Sequence, residues 1–247
     1  MKLVFLGTGG YHPSDTRQTA CLMLPEVGVI LDAGTAMYRA KRFLRGDELD
    51  IFLTHAHLDH VIGLTYLIDV LADRTMKRVT AHAEPEKIDA IRAHLFAQDL
   101  FPVAPLCEFA PLARAAPLPK GGRLTHFRVA HPGGAVGFRL EWPGHSMAYV
   151  TDTTAAADAP YLDAIRDVDL LVHECYFPDH ALELAKLTGH STTSEVARLA
   201  KNAGVNKLVL VHVDPSKEEE ADPIHAAAAR AIFPGTFLAS DLDEVDF

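Results

Sequence analysis

The densest group of chemically active side chains in the sequence is one short segment, Thr54-His55-Ala56-His57-Leu58-Asp59-His60. Because His55 and His57 are two positions apart, they point the same way in an extended segment and can bind one ion together. Asp59 and His60 follow at a turn or helix start, face elsewhere, and can serve a second ion. Histidine nitrogens and carboxylate oxygens bind zinc at about 2.0–2.2 Å. The segment therefore predicts a site for two metal ions, with zinc as the first choice.

Further metal-competent or titratable residues stand directly after apolar runs that are typical of strands. Five runs end in this way, and the residues that follow or close them are His55, His131, Asp152, His173 with Glu174, and His212. Strand ends that open into loops are where α/β proteins assemble their sites. Two metal ions about 3.5–4 Å apart can share a bridging carboxylate, and Asp152 meets that need. We expect these strand ends to converge.

The elements that must position these residues alternate along the chain. Strands are predicted at Leu3–Leu6, Thr19–Leu24, Val27–Leu31, Ile51–Leu53, Val79–Ala81, Phe127–Ala130, Val136–Leu140, Met147–Val150, Leu170–Val172, Leu208–Val211 and Thr236–Ala239. Helices are predicted at Ile62–Leu71, Pro85–Phe96, Tyr161–Ile165, Ala181–Leu187, Thr193–Ala203 and Glu218–Ile232. The proline- and alanine-rich segment Phe101–Gly122 is either a linker or a surface connection. We treat residues 1–247 as a single domain of the α/β class.

Composition limits the classes of protein to consider. An apolar share of 49% and a mean hydropathy of +0.07 suit a water-soluble enzyme with a full core. The formal charge of −10 argues against a general nucleic-acid binder, whose affinity depends on neutralising phosphates. Three widely spaced cysteines are no disulfide framework, which favours the cytoplasm. No apolar run approaches the roughly 20 residues that cross a bilayer, so no membrane partner is expected.

The segment from His55 to His60 resembles the HxHxDH signature of the metallo-β-lactamase superfamily, and His131, Asp152 and His212 follow in that superfamily's order. The resemblance implies a four-layer αββα sandwich, with Asp32 supporting the metal site. It also implies a first ion held by His55, His57 and His131. A second ion would be held by Asp59, His60 and His212, and Asp152 would bridge the two ions. Two zinc ions are expected, with manganese or iron as alternatives.

Two later motifs, His173-Glu174 and His190-Ser191-Thr192, resemble those of ribonuclease Z and its phosphodiesterase relatives. This narrower resemblance implies that a metal-bridging hydroxide attacks phosphorus and that Asp59 steers its proton. His190 would stabilise the transition state or protonate the leaving oxygen, and Glu174 would orient it. The stretch from His190 to Glu195 is also a good helix start with Ser/Thr caps.

One departure bears on the substrate. Ribonuclease Z proper carries a long arm that grips tRNA between its third and fourth metal motifs, but His131 and Asp152 are only 21 positions apart, which leaves room for a hairpin alone. We therefore predict a small phosphodiester or related ester as substrate and leave long nucleic acid and a homodimer open. The alternatives are a ribonuclease Z-type RNA 3′ endonuclease, a thioester or lactone hydrolase like glyoxalase II, which does not require His190 and Glu174, and a non-catalytic scaffold.

Overall fold

The computed structural model describes residues 1–217, 220 and 222–247. The chain forms two compact units, the first comprising Met1–Ala113 with Asp241–Asp246 and the second Arg114–Ser240 with Phe247. The boundary after Ala113 falls inside the proline- and alanine-rich segment. That all 247 residues form a single domain stays a prediction.

Fourteen strands are formed by the described part of the chain. The first six are β1 (Lys2–Gly7), β2 (Cys21–Leu24), β3 (Val29–Leu31), β4 (Glu48–Phe52), β5 (Arg78–Ala83) and β6 (Glu108–Pro111). The next seven are β7 (Ala115–Leu118), β8 (Gly122–Val129), β9 (Ala135–Trp142), β10 (His145–Val150), β11 (Leu170–Glu174), β12 (Lys207–Val211) and β13 (Thr236–Leu238). The last is β14 (Glu244–Asp246).

The first unit is a mixed sheet in the order β14-β1-β2-β3-β4-β5-β6. Strands β3 to β6 are parallel, and β1 runs the same way because β2 is antiparallel to both β1 and β3. The carboxyl ends of β1, β3 and β4 therefore lie at one edge. The helices of this unit are α1 (Leu58–Val61), α2 (Leu67–Val70) and α3 (Pro85–Ala90), with 3-10 turns at Thr35–Arg42 and Ile62–Tyr66 and a π turn at Ile91–Leu95.

The second unit is a mixed sheet in the order β13-β12-β11-β10-β9-β8-β7. Strands β10 to β13 are parallel, and β8 shares their direction because β9 is antiparallel to both β8 and β10. The helices are α4 (Leu182–Thr188), α5 (Thr193–Ala203) and α6 (Ala226–Ile232), with 3-10 turns at Pro119–Gly121, Leu162–Ile165, Asp179–Ala181 and Pro215–Lys217. Helix α5 buries an apolar stripe that includes Val196, Leu199 and Ala203, and Gly204 ends it with a left-handed φ of 68°.

Helix predictions agree with the structure to different degrees. Thr193–Ala203 is helical over the predicted range. Ile62–Leu71 is divided between a 3-10 turn and α2, and Pro85–Phe96 between α3 and a π turn. Of the predicted helix Glu218–Ile232, the part from Ala226 is helical, while residues 218, 219 and 221 lie outside the described residues. None of the helices in the described ranges is long and apolar enough to span a bilayer.

The prediction for the segment Phe101–Gly122 omitted two strands. β6 and β7 lie within it, and each is the outermost strand of its sheet. Proline cannot donate to a sheet ladder, so it is confined to edge strands such as these, where Pro111 and Pro117 stand. Their proline content conceals the strands from a search for apolar, β-branched runs. β14, in which two of three residues are acidic, escaped the same search.

Candidate metal centre

The first unit gathers a polar cluster at the edge where β3 and β4 end. Asp32 follows β3 and is buried, and its carboxylate oxygens accept hydrogen bonds from the backbone N–H of Thr54 at 2.8 Å and from its hydroxyl at 2.9 Å. Nδ1 of His60 lies 2.9 Å from Asp32 Oδ2. Parallel pairing of β3 with β4 brings these residues together, although Asp32 and Thr54 are 22 positions apart in sequence.

This network orients two histidine rings. Because Asp32 only accepts, His60 must donate from Nδ1, which leaves its Nε2 lone pair available to a metal ion. The hydroxyl of Thr54 donates to Asp32 and lies 3.0 Å from Nδ1 of His55, so its oxygen accepts a hydrogen bond from that nitrogen. His55 is thereby assigned the same tautomer as His60. Both rings present Nε2 as the metal-binding atom.

The four donors of the first unit lie in the two pairs that their spacing predicts. His55 and His57 have ring centroids 4.5 Å apart and ligand atoms within 4.8 Å. Oδ2 of Asp59 lies 3.3 Å from Nε2 of His60. His57 stands in extended backbone directly before α1, whose first turn carries Asp59. The ring centroids of His55 and His60 lie 4.2 Å apart, so the two pairs adjoin each other.

The second unit gathers its polar residues from strand ends. β8, β10, β11 and β12 run in one direction, and His131, Asp152, Glu174 and His212 close or follow them. Oδ2 of Asp152 lies 3.5 Å from Nε2 of His131, and Oδ1 lies 3.2 Å from Nε2 of His212. The two oxygens of one carboxylate thus face two different histidines, which is the arrangement that a bridging ligand needs.

Backbone conformation at these strand ends is unusual. Asp152 has φ of 47° and His212 has φ of 61°, and in the first unit Asp32 has φ of 59°. For a residue other than glycine this left-handed region costs of order 1 kcal/mol or more, and it persists where the surroundings fix it, often at functional sites. Each of these three residues makes the sharp turn by which the chain leaves a strand.

The buried Glu174 and the partly buried His190 form a pair beside Asp152 and His212. Oε1 of Glu174 accepts hydrogen bonds from the backbone N–H groups of Thr153 at 3.1 Å and Ser191 at 3.0 Å, and lies 3.2 Å from Nδ1 of His190. The backbone N–H of Tyr176 donates to Oε2 at 3.0 Å. The carboxylate, fully buried, is held by four donors. His190 therefore donates from Nδ1 and presents Nε2 away from Glu174.

Three residues of the second unit come close enough to share an ion. The ligand atoms of Asp152, His190 and His212 lie within 4.8 Å of one another. The ring of His190 stacks on Tyr176 with centroids 4.9 Å apart and on His212 at 5.5 Å. Tyr176 gave no signal in the sequence, because an aromatic residue two positions after a strand end is ordinary. It joins the site through the sharp turn that Glu174 stabilises.

Two further interpretations are tested by the contacts. His173 is buried, with Nε2 at 3.0 Å from the Tyr161 hydroxyl and Nδ1 at 2.8 Å from the Glu174 carbonyl oxygen. These hydrogen bonds give it a structural role in the core. Burial lowers the pKa of His173. The expected Ser/Thr cap of α5 is wrong, because Thr192 makes no side-chain capping bond. Asp179 takes that role by accepting from the backbone N–H of Ser194 at 2.7 Å.

Comparison with known proteins identifies the family. The model of the beta-lactamase superfamily domain matches residues 28–213. The chain belongs to the metallo-β-lactamase superfamily. Ribonuclease Z of Methanosarcina acetivorans is 27% identical to it, with 100% of this chain and 98% of that protein aligned. Ribonuclease Z of Gemmatimonas aurantiaca is 29% identical, with 98% of this chain and 94% of that protein aligned.

Solved structures of the superfamily share the fold over the full length. The metallo-β-lactamase fold protein YhfI of Bacillus subtilis has a TM-score of 0.81 at 17% identity, with 99% of both chains covered. The short form of human tRNase Z has a TM-score of 0.77 at 23% identity, with 100% and 99% covered. A diphosphatase of the PhnP family has a TM-score of 0.75 at 19% identity, with 100% and 96% covered. The predicted α/β metallo-β-lactamase fold is confirmed, and the chain is a hydrolase of this superfamily.

Proposed function

We propose that the seven predicted donor residues hold two divalent ions. The first ion would be held by His55, His57 and His131. The second ion would be held by Asp59, His60 and His212, and Asp152 would serve both ions. Zinc suits this set of imidazoles and carboxylates, and manganese or iron is compatible with it. The fit rests on two observations, namely Nε2 of His55 and His60 held ready by the Asp32 network and the two oxygens of Asp152 facing different histidines.

We further propose that the reaction is hydrolysis of a phosphodiester, and the Glu174–His190 pair carries this assignment. Two bound ions supply Lewis acidity, which activates water near neutral pH and neutralises charge on phosphoryl oxygens. Glu174 fixes the ring of His190, so that Nε2 can donate to a phosphoryl oxygen or protonate the leaving oxygen. Asp59 accepts the proton of the attacking water. Hydrolysis of a thioester or lactone does not require such a donor.

The size of the chain favours a small substrate. β9 and β10 with one turn fill the 21 positions from His131 to Asp152, where tRNA-binding relatives are expected to carry an arm. The alignment with the Methanosarcina ribonuclease Z is 311 residues long, whereas this chain has 247, so that relative carries segments missing here. The second candidate function is RNA 3′ cleavage, which the nearly complete coverage of ribonuclease Z relatives favours.

The proposal also covers the cellular location and the oligomeric state of the protein. Cys21, Cys107 and Cys175 are free thiols, and burial raises the pKa of Cys21 and Cys175 well above the usual range. Inert, reduced thiols agree with the predicted cytoplasmic location, which fractionation of the source cells would test. Light scattering on the purified chain decides whether it forms the homodimer that the sequence leaves open.

A turnover panel tests the proposed reaction. We expect the zinc-loaded protein to hydrolyse a bis-aryl phosphodiester, and to act on cyclic nucleotides more readily than on a pre-tRNA, a thioester or a lactone. Elemental analysis should give about two ions per chain. Faster cleavage of pre-tRNA than of every small diester would establish the second candidate, and turnover of the thioester or lactone alone would contradict both.

The role of His190 is tested by comparing substrates that differ in their leaving group. His190→Ala should lower kcat about 100-fold or more, as loss of a general acid does, with KM little changed. The loss should be larger for an alkyl or nucleoside leaving group than for a nitrophenolate, which departs without a proton. His180→Ala is the matched control, because His180 is an exposed histidine of the same unit. Unchanged phosphodiester turnover in His190→Ala would remove the phosphodiesterase assignment and leave family membership intact.

A further inference from the structure

The loop between β1 and β2, residues 8–18, is fastened at both ends to one carboxylate. Oδ1 of Asp241 accepts hydrogen bonds from the backbone N–H of Thr8 at 2.9 Å and from its hydroxyl at 2.7 Å. Oδ2 accepts from the backbone N–H of Gln18 at 2.7 Å. This side chain near the C-terminus closes the neck of the loop together with the backbone hydrogen bond from Gly9 N–H to the Gln18 carbonyl oxygen, at 2.9 Å, within the same unit.

Arginines strengthen this anchor. Nη1 of Arg39 lies 2.5 Å from Oδ2 of Asp241 and also donates to the carbonyl oxygen of Leu6. The Asp241 and Arg39 side chains are 6% and 15% exposed, so the pair is largely shielded from water. Arg17, inside the loop, donates to the hydroxyl of Thr8 at 2.5 Å. Charged hydrogen bonds of this kind are shorter and stronger than neutral ones.

The pairing of β14 with β1 places Asp241 at the neck of loop 8–18. β14 pairs with β1, the backbone N–H of Leu242 donates to Phe5 at 2.6 Å, and Phe5 donates to Asp243 at 2.9 Å. This register sets residue 241 beside the carboxyl end of β1, where the loop begins. The anchor thus depends on a strand that the sequence pattern did not reveal.

The tip of the loop reaches a predicted metal ligand. The backbone N–H of Tyr11 donates to Oδ2 of Asp59 at 2.9 Å. Tyr11 has φ of 62°, a left-handed conformation that an aromatic residue adopts only where its surroundings impose it. The Tyr11 side chain is exposed, so packing of its ring does not impose it. A backbone hydrogen bond from His12 N–H to the Gly10 carbonyl oxygen, at 2.8 Å, spans Tyr11, and the closed neck of the loop holds this turn in place.

We propose that Asp241 is a positioning residue for Asp59. By closing the neck of loop 8–18 it holds the N–H of Tyr11 against Oδ2 of Asp59, and it thereby sets the orientation in which that carboxylate meets its ion. Hydrogen bonds from outside the ligand set commonly tune metal affinity by 10- to 100-fold. The inference rests on the proposed function only in treating Asp59 as a metal ligand.

A purely stabilising role is the competing explanation, and the chain offers a matched control for it. Asp50, on β4 of the same unit, is bonded by both terminal nitrogens of Arg78, at 2.5 and 2.8 Å, and by His82 at 2.9 Å. Its side chain is 12% exposed. Like Asp241, it is a shielded carboxylate paired with an arginine, but none of its contacts involves loop 8–18. Asp50→Asn should therefore cost stability without loosening the loop.

The experiment compares Asp241→Asn with Asp50→Asn in the full-length protein. Trypsin cleavage after Arg17, followed by mass spectrometry on the metal-free protein, should be about tenfold faster in Asp241→Asn and unchanged in Asp50→Asn, because cleavage tracks the open fraction. Chelator competition with Zn(II) should show about tenfold weaker binding of one ion in Asp241→Asn alone. Its kcat on the aryl phosphodiester should fall while KM stays constant.

Thr8→Val serves as a second variant if Asp241→Asn does not fold, because it removes only the hydroxyl from the neck. It should produce the same changes to a smaller extent. Wild-type protection of the Arg17 site together with wild-type zinc affinity, in whichever variant folds, would overturn the proposal. Equal changes in Arg17 cleavage and in zinc affinity in Asp50→Asn would also overturn the proposal. Absence of phosphodiester turnover in the wild type would count against the proposed function alone, because the cleavage and zinc measurements need no substrate.

Discussion

In the first unit, four donor residues come from the seven-residue segment Thr54–His60, whereas in the second unit His131, Asp152 and His212 each follow a different strand. A local segment keeps its donors together whenever the backbone is extended and then helical. Donors on separate strands meet only when the strands are paired in the right order and register. The first cluster is therefore a property of local conformation, and the second is a property of topology.

The two clusters are also supported differently. In the first unit one buried carboxylate, Asp32, orients two histidines directly or through Thr54. In the second unit the buried carboxylate of Glu174 accepts hydrogen bonds mainly from backbone N–H groups. It therefore stabilises turns of the backbone and does not orient the predicted metal ligands directly. Substitutions at Asp32 should act on metal affinity, whereas substitutions at Glu174 should act on turn structure and on His190.

The largest expected effect comes from the carboxylate that faces two histidines. Asp152→Asn should lose more than one ion per chain and lower kcat/KM about 1000-fold or more, because an amide lacks the second anionic oxygen that a bridging ligand uses. Asp59→Asn should retain about one ion, because Asp59 serves a single ion in the proposed set. Elemental analysis and turnover measure both variants. Two ions retained in Asp152→Asn would show that the carboxylate does not bridge.

A smaller effect is expected at the carboxylate behind the first cluster. Asp32→Asn should weaken zinc binding about 10- to 100-fold, because an amide cannot accept from Thr54 and His60 through two oxygens. Chelator competition provides the measurement. Asp169→Asn is the control, since Asp169 bonds Ser146 at the opposite end of β11 from Glu174. Equal zinc affinity in the wild type and Asp32→Asn would remove the distinction between the two kinds of support.

The smallest effect concerns the pH dependence of folding. Burial lowers the pKa of His173 below its ordinary value of 6.5, so the folded protein binds this proton less readily than the unfolded chain does. Stability from this residue is complete above about pH 6.5 and is lost as the pH falls toward the lowered folded pKa. Between pH 7.5 and 5.5 the metal-free wild type should lose about 1 kcal/mol more than His173→Gln. Urea unfolding at several pH values measures this, and parallel curves would show that the pKa of His173 is the same in the folded protein and in the unfolded chain.

Sequence reasoning was most successful where the pattern is dense and local. The helical pattern of the sequence predicted α5 over its full length. The apolar pattern does not reveal the 3-10 turn Thr35–Arg42, because two of its three buried residues are the alanines Ala36 and Ala40, which give a weak apolar signal. Sequence reasoning also misplaced the cap of α5, because Asp179 reaches the helix through a fold of the chain and not through adjacent sequence.

By itself, the sequence determined which donors exist, the pairing of His55 with His57 and of Asp59 with His60, and the strand ends at which the others stand. These features depend on residue type and on backbone geometry over a few residues, which act without distant contacts. Only the tertiary structure decided that the oxygens of Asp152 face two histidines and that Asp241 closes the loop above Asp59. Those arrangements depend on strand order and register, because pairing between distant segments brings together residues whose separation in sequence carries no information about their contact.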